Sequence, residues 1–343
     1  MKVLVTGAKG FIGREIVSEL SENNFTVVKI INSGTKNKRD NFGVESKCYA
    51  ADITDYKNLL EIASGEQGNE INAIIHTAGL AHQFGETKKE SFDAVNVEGT
   101  RNIVNLAVEL QAKHFILISS TAVYGIEKTF GKNSSGQVSD SAFDENSNVN
   151  PQTLYAKSKL EAESVSREIC EKNNLPLTIF RLSPVIGEGS AGNAARLITT
   201  INKGRFVWLG KGENYKSLIY KTDVARACVK VLKNKRGGTE IFNLAAKPIK
   251  MRDFVDEIAV GLNKKIYGFS VPLKLPEVFF GLNRKFFGIK KIDKIEDTIE
   301  KWLSADIYKA DKIARTYDFT PETSIKEAIK KQCEWYKKVK SEK

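Results

Sequence analysis

The chain has 343 residues, 41% of them hydrophobic and 28% charged, and a net charge of +11. That length and apolar fraction supply one large core or two smaller ones and exclude an intrinsically disordered chain. No run approaches the roughly 18 apolar residues of a membrane span, and neither the four dispersed cysteines nor His76, His82 and His114 have metal-ligand spacing.

The start, Met1 to Gly7, runs straight into a folded motif. We therefore expect a cytoplasmic protein with reduced thiols at Cys48, Cys170, Cys228 and Cys333, no metal, and structural or solvent roles for the histidines. The lysines are scattered along solvated helix faces rather than interleaved with aromatics. Nucleic acid is thus not expected as a partner, whereas small anions suit the positive field.

Val3–Thr6 reads as a strand. Phe11–Leu20 follows with Ile12, Ile16 and Leu20 on one helical stripe, Asn23-Asn24 suits its end, and Phe25–Ile31 is a second strand. The first 31 residues thus form one βαβ unit. Further apolar runs at Ala73–His76, Phe115–Ser119 and Leu177–Arg181 alternate with helical periods, which predicts an α/β protein with a doubly wound parallel sheet. Residues 126–150, rich in Ser, Asn, Asp and Gly, predict a loop that could act as a lid. After Arg181 the pattern loosens into Gly-rich connections, short strands such as Glu240–Ala245, and helices. Residues 1–185, with returning segments at about 217–245, are assigned to the first domain, and the remainder of 186–343 to a smaller C-terminal α/β unit. In residues 275–291, Leu275, Val278, Phe279, Phe280, Leu282, Phe286 and Phe287 stand beside Arg284, Lys285, Lys290 and Lys291. A membrane-surface helix fits that composition, but a helix packed on the core is the favoured reading, so no membrane partner is expected. A last amphipathic helix carries Ile325, Ala328, Ile329, Cys333, Tyr336 and Val339 on one face.

Thr6-Gly7-Ala8-Lys9-Gly10-Phe11-Ile12-Gly13 places three glycines between a strand and a helix. Without side chains at Gly7, Gly10 and Gly13, a pyrophosphate can reach backbone N–H groups and the helix N-terminus at Phe11 and Ile12, the arrangement of a Rossmann-type dinucleotide site. The second strand ends in Ile31-Asn32-Ser33-Gly34, without the acid that would bind the ribose hydroxyls of NAD. Asn32 and Ser33 can donate to a 2′-phosphate, with Lys36, Lys38 and Arg39 following, which tilts the expected cofactor from NAD toward NADP; a merely solvated basic loop is the alternative. Asp52 is expected to accept the adenine amino group, with Ile53 flanking the ring, or else to cap the helix starting near Tyr56. Thr77 and Ala78 are small residues where the backbone passes the dinucleotide.

Tyr155-Ala156-Lys157-Ser158-Lys159 puts Tyr155 and Lys159 four apart, on one helical face, where the ammonium lowers the phenol pKa and can hold the nicotinamide ribose. Ser119-Ser120-Thr121-Ala122-Val123-Tyr124-Gly125 follows a buried strand, so its hydroxyls emerge at the carboxyl edge of the sheet.

With these pieces, and with ADITD, HTAG, NVEGT at Asn96–Thr100, the Arg181–Gly187 segment and the Ser217–Ala225 segment, the sequence resembles the extended short-chain dehydrogenase/reductase family over essentially the whole chain. The resemblance is to its nucleotide-sugar epimerases and 4-keto reductases in particular. It implies that Ser120 carries the catalytic hydroxyl, that Tyr155 is the acid/base with Lys159 its partner, and that Asn96 is structural. It also implies that the second unit binds a nucleotide sugar, with Thr121, Asn193 and Lys216 as substrate contacts and Lys216 at the diphosphate, and that the chain forms a homodimer through the helices after Asn96 and around Tyr155. A role in cell-surface polysaccharide synthesis is the family-level expectation. Pro184 stands where 4-epimerases often carry asparagine. Thr121-Ala122 replace the Asp-Glu pair of the family's sugar 4,6-dehydratases, which disfavours dehydration. Between NADPH-dependent 4-keto reduction and NAD-dependent 4-epimerisation, the missing ribose acid leans toward reduction. A 3β-hydroxysteroid or flavonol-type reductase, and a non-catalytic NADP sensor, are further alternatives; intact Ser120, Tyr155 and Lys159 argue against the sensor.

Overall fold

The computed structural model describes residues 1–32, 47–66, 70–80, 88–125, 142–266, 270–283 and 289–341. Ser33, Lys36, Lys38, Arg39, His82, residues 126–141 of the expected lid, and residues 284–288 lie outside the described residues.

The β-branched runs form a parallel sheet from β1 (Lys2–Thr6), β2 (Thr26–Ile31), β3 (Cys48–Ala50), β4 (Ala73–His76), β5 (Phe115–Ser120), β6 (Leu177–Leu182) and, later in the chain, Thr239–Leu244. Between β6 and that last strand come the two-residue strands β7 (Val185–Ile186), β8 (Trp208–Leu209), β9 (Tyr215–Lys216) and β10 (Ile219–Tyr220), which makes Thr239–Leu244 β11. The order across the sheet is β11-β6-β5-β4-β1-β2-β3. The chain winds outward from β1 to β3, then crosses back to the other side of β1 at β4. That reversal opens a crevice at the carboxyl ends of β1 and β4, where this architecture binds ligands.

The helices are α1 (Phe11–Glu22), α2 (Tyr56–Gly65), α3 (Lys89–Phe92), α4 (Gly99–Glu109), α5 (Leu154–Lys172), α6 (Asn193–Asn202), α7 (Lys221–Lys233), α8 (Met251–Gly261), α9 (Lys274–Leu282), α10 (Lys290–Leu303), α11 (Asp311–Tyr317) and α12 (Ile325–Ser341). Alternate strand residues face opposite layers. Val3, Val5, Ile116 and Ile118 pack with Ile16, Leu20, Val224 and Cys228 of α1 and α7. Leu4, Phe115 and Leu117 pack with Leu59, Ile103 and Cys170 of α2, α4 and α5. A separate core joins Leu197 and Ile201 of α6, Trp208, Val255 and Ile258 of α8, and Ala328, Ile329 and Cys333 of α12.

Three expectations need correction. Asp55, not Asp52, caps α2, accepting the Asn58 N–H at 3.2 Å, while the exposed Asp52 accepts Thr54 N–H and Oγ1 at 2.9 and 2.8 Å. Residues 142–150 are not a free loop, since Phe143 forms a backbone bridge to Tyr308 and Asn150 N–H bonds Val123 O at 2.9 Å. Nor is α9 packed on the core by its apolar stripe: Phe280 is buried, but Leu275, Val278, Phe279 and Leu282 are 63%, 61%, 55% and 46% exposed.

Candidate active site

The turn from β1 into α1 brings the glycines together. Gly7 has φ +66°, which a side chain resists, and a Cβ there would lie 2.8 Å from both Ala78 N and Thr77 Oγ1. Gly10 N–H closes the turn on Gly7 O at 2.8 Å, and a Cβ on Gly13 would collide with that same carbonyl. Gly10 is the N-cap of α1; no side chain caps the helix and its first turn holds no acid, so its positive end is free for an anion. Phe11 and Ile12 open the helix, and Thr77 and Ala78 face the turn from the end of β4, where Thr77 Oγ1 donates to Thr6 O at 2.6 Å. The residues present therefore fit a dinucleotide: glycine backbone and the α1 N-terminus for its pyrophosphate, with Ile53 and the exposed Asn32 at the ends of the neighbouring strands for its adenosine half.

His76 anchors this floor. Its Nδ1 lies 2.6 Å from Thr6 Oγ1 and its Nε2 3.1 Å from Thr100 Oγ1, whose own proton goes to Asn96 O at 2.6 Å. Nε2 must then be the donor and Nδ1 the acceptor. Burial, with Lys159 adding to it, pushes His76 down to about 3, so the ring is a neutral strut. His114 is likewise buried and bonded to Thr178 Oγ1 at 2.9 Å.

Thr153 starts α5 by accepting the Ala156 N–H at 3.1 Å, which sets Tyr155 in the first helical turn. Across from it, β5 ends at Ser120, whose Oγ accepts the Ala122 N–H at 3.1 Å and hydrogen-bonds the Tyr155 phenol. Burial raises the phenol pKa, and the Ser120 hydrogen bond works against that rise. Lys159 stands one turn further along α5 and donates to Ile118 O at 3.0 Å. Burial lowers its pKa to about 8, partly countered by Glu163. Gly79 leaves room beside it, since a Cβ there would lie 3.5 Å from Lys159 Nζ and 2.9 Å from Asn96 Oδ1. Asn96, in a π-helical turn between α3 and α4, is structural in detail. It accepts the Leu80 N–H at 2.7 Å and donates to Leu80 O at 3.1 Å and to Ser158 Oγ at 3.0 Å, tying α5 to the end of β4.

Beneath these residues lies a network that reading the sequence did not assign. Arg181 of β6 pairs with Glu163 of α5 at 2.7 Å, both side chains nearly inaccessible. Glu163 also accepts from Ser119 Oγ at 2.5 Å, and Arg181 donates to Tyr124 O–H at 3.0 Å, which donates to Asn243 Oδ1 at 2.8 Å. An arginine inside an apolar strand was the available signal, because a buried charge requires a partner.

The structure gathers Ser120, Tyr155 and Lys159 at the crevice, but not all the substrate contacts expected beside them. Thr121 is buried and its hydroxyl donates to Leu182 O at 3.2 Å. Asn193 is exposed at the start of α6. Lys216 does not present a free ammonium to a diphosphate: Nζ pairs with Asp306 at 2.6 Å and also donates to Lys301 O at 2.6 Å and Ser304 Oγ at 3.1 Å.

Comparison with known proteins places the chain. Residues 3–245 match the family model described as the NAD dependent epimerase/dehydratase family. An N-acetyl-α-D-glucosaminyl-diphospho-ditrans,octacis-undecaprenol 4-epimerase of Escherichia coli O157:H7 is 30% identical over 276 residues, 80% of this chain and 76% of the relative. A UDP-glucose 4-epimerase of Vibrio cholerae is 25% identical over 304 residues, 87% of this chain and 86% of the relative. In fold, the chain is similar to the crystal structure of a UDP-glucose 4-epimerase from Thermotoga maritima with UDP-glucose, with a TM-score of 0.75 at 20% identity over 99% of both chains. The glycine turn, the hydroxyl at the end of β5 and the Tyr-Lys pair on α5 thus belong to an enzyme of the NAD dependent epimerase/dehydratase family, within the extended short-chain dehydrogenase/reductases.

Proposed function

We propose that the chain is an NAD-dependent 4-epimerase of a hexose carried on a diphosphate. The observation that carries this reading is the Ser120–Tyr155–Lys159 arrangement, which provides one proton donor-acceptor; the two positions after Ser120 hold no second acid or base, because Thr121 is buried and Ala122 is apolar. Epimerisation requires one group that takes the O4 proton and returns it, whereas elimination of water requires more. The relatives named as 4-epimerases, and the NAD dependence of the family, support the same choice.

Tyr155 is the group that moves the proton at the sugar O4. The positive end of α5 and the Ser120 hydrogen bond favour its phenolate against the burial that raises its pKa, while the Lys159 ammonium is held by Ile118 O at 3.0 Å. Ser120 can instead turn its hydroxyl to the C4 oxygen and hold it in line. Asn96 and the Glu163–Arg181 pair keep α5 at its distance from β5. Bound in the glycine cradle, NAD supplies the hydride acceptor and donor at C4. The diphosphate carrier is either a nucleoside or a polyprenol, since relatives of both kinds exist.

The second reading is 4-keto-sugar reduction with NADP. It rests on Asn32 standing exposed at the end of β2 where an acid would select NAD. The two separate in one experiment: the purified chain is incubated with UDP-glucose, UDP-N-acetylglucosamine or N-acetylglucosaminyl-diphospho-undecaprenol without added cofactor, and the product is read by proton NMR. Epimerisation predicts the C4-inverted sugar, with turnover reduced about a hundredfold or more in Tyr155→Phe while NAD affinity is kept. Product formed only from a 4-keto sugar with stoichiometric NADPH establishes the reductase.

A further inference from the structure

We propose that the outward face of α9 docks the protein on the surface of an anionic bilayer. Leu275, Val278, Phe279 and Leu282 recur at positions one, four, five and eight of an eight-residue span, so they form a single stripe along the helix. All four are exposed, from 63% at Leu275 to 46% at Leu282. The opposite face is the one that meets the protein, through Phe280 at 2% exposure and the half-buried Glu277. Six of the twelve large hydrophobic residues most exposed among the described residues fall between 275 and 295, the other two being Ile289 and Ile295. A helix that buries one aromatic and turns four large apolar side chains to solvent is built to cover them elsewhere.

Charge identifies what covers them. Between residues 264 and 291 the sequence carries seven Lys or Arg against one acid, Glu277. Lys264, Lys265 and Lys274 are exposed, and Lys274 adjoins the apolar stripe at its start. An apolar stripe with Lys274 at its start, in a stretch of sequence rich in cations, matches acyl chains below anionic headgroups, where each cation near the surface adds to binding. A second copy of this chain would bring the same positive charge to the contact and be repelled by it. The helix packs against α10. Docking through α9 would present the second unit, rather than the sheet, to the membrane.

The test is co-sedimentation of the full chain with sucrose-loaded vesicles of phosphatidylcholine, with and without phosphatidylglycerol, at low and high salt. The proposal predicts binding to the anionic vesicles, weakened several-fold by salt that shortens the screening length. The double variant Val278→Glu, Phe279→Glu should lose about tenfold in partitioning while keeping its circular dichroism and NAD affinity. A milder variant, Lys274→Gln, should keep binding but lower its salt dependence. Absence of binding to anionic vesicles, or binding that the double variant leaves unchanged, overturns the proposal. So does sedimentation showing that the wild-type chain is a dimer which the double variant dissociates.

Discussion

Substituting Glu163→Gln tests whether the buried pair beneath the catalytic residues does what its geometry requires. The carboxylate accepts two contacts from Arg181 Nε at 3.1 and 3.2 Å, one from its terminal nitrogen at 2.7 Å, and one from Ser119 at 2.5 Å. Both side chains are under a tenth exposed, so the guanidinium left behind has no water to turn to. Breaking such a pair from one side costs about 3–5 kcal/mol, and because glutamine retains one acceptor oxygen the lower end applies. Urea unfolding followed by far-UV circular dichroism should show a loss of about 3 kcal/mol, and replacing Arg181 by Met in the same chain should recover at least half of it. A second readout separates positioning from bulk stability. Glu163 holds up the Lys159 pKa, which burial has brought to about 8, so its neutralisation should move the alkaline limb of the rate profile to lower pH. A stability loss under about 1 kcal/mol together with an unmoved alkaline limb would refute the reasoning.

Two other consequences are as definite. Gly7→Ala forces a side chain onto φ +66° and to 2.8 Å from Ala78 N, and calorimetric titration should show NAD affinity down by about tenfold or more with a stability cost of about 1–2 kcal/mol. The buried histidines set the acid limit: His76 at about 3 and His114 at about 4 are held below their unfolded value by burial. Their depressed pKa values mean that the unfolded chain binds more protons below about pH 6.5, so each removes about 1.4 kcal/mol of stability per pH unit from there to about pH 4. Denaturation midpoints measured across that range should fall accordingly, and a flat profile contradicts the neutral state assigned to both rings.

Local periodicity carried the sheet because its central strands are short, mostly apolar runs and α1 repeats Ile12, Ile16 and Leu20 at helical spacing. The Gly7 turn and the Tyr155–Lys159 spacing were legible for a related reason, since each is set by short-range geometry, whereas Ser120 was singled out among the hydroxyls that follow β5 by the family resemblance. Lys216 was different. Its ammonium is taken by Asp306, 90 residues away, and no local pattern announces a partner at that distance. The Glu163–Arg181 pair is hidden similarly, joining a helix to a strand across 18 residues within the fold. For α9, apolar composition alone cannot say which side of a helix meets the core, and the stripe that looked like a packing surface faces outward because Phe280 and Glu277 face inward.

The most direct test of the proposed reaction is the fate of a deuterium placed at C4 of the hexose. The account predicts a C4-inverted product that retains the label at C4, because the hydride leaves and returns within one closed site while Tyr155 exchanges only the O4 proton. Inverted product whose label has been lost to solvent, or no inversion with any diphosphate-linked hexose, would contradict it.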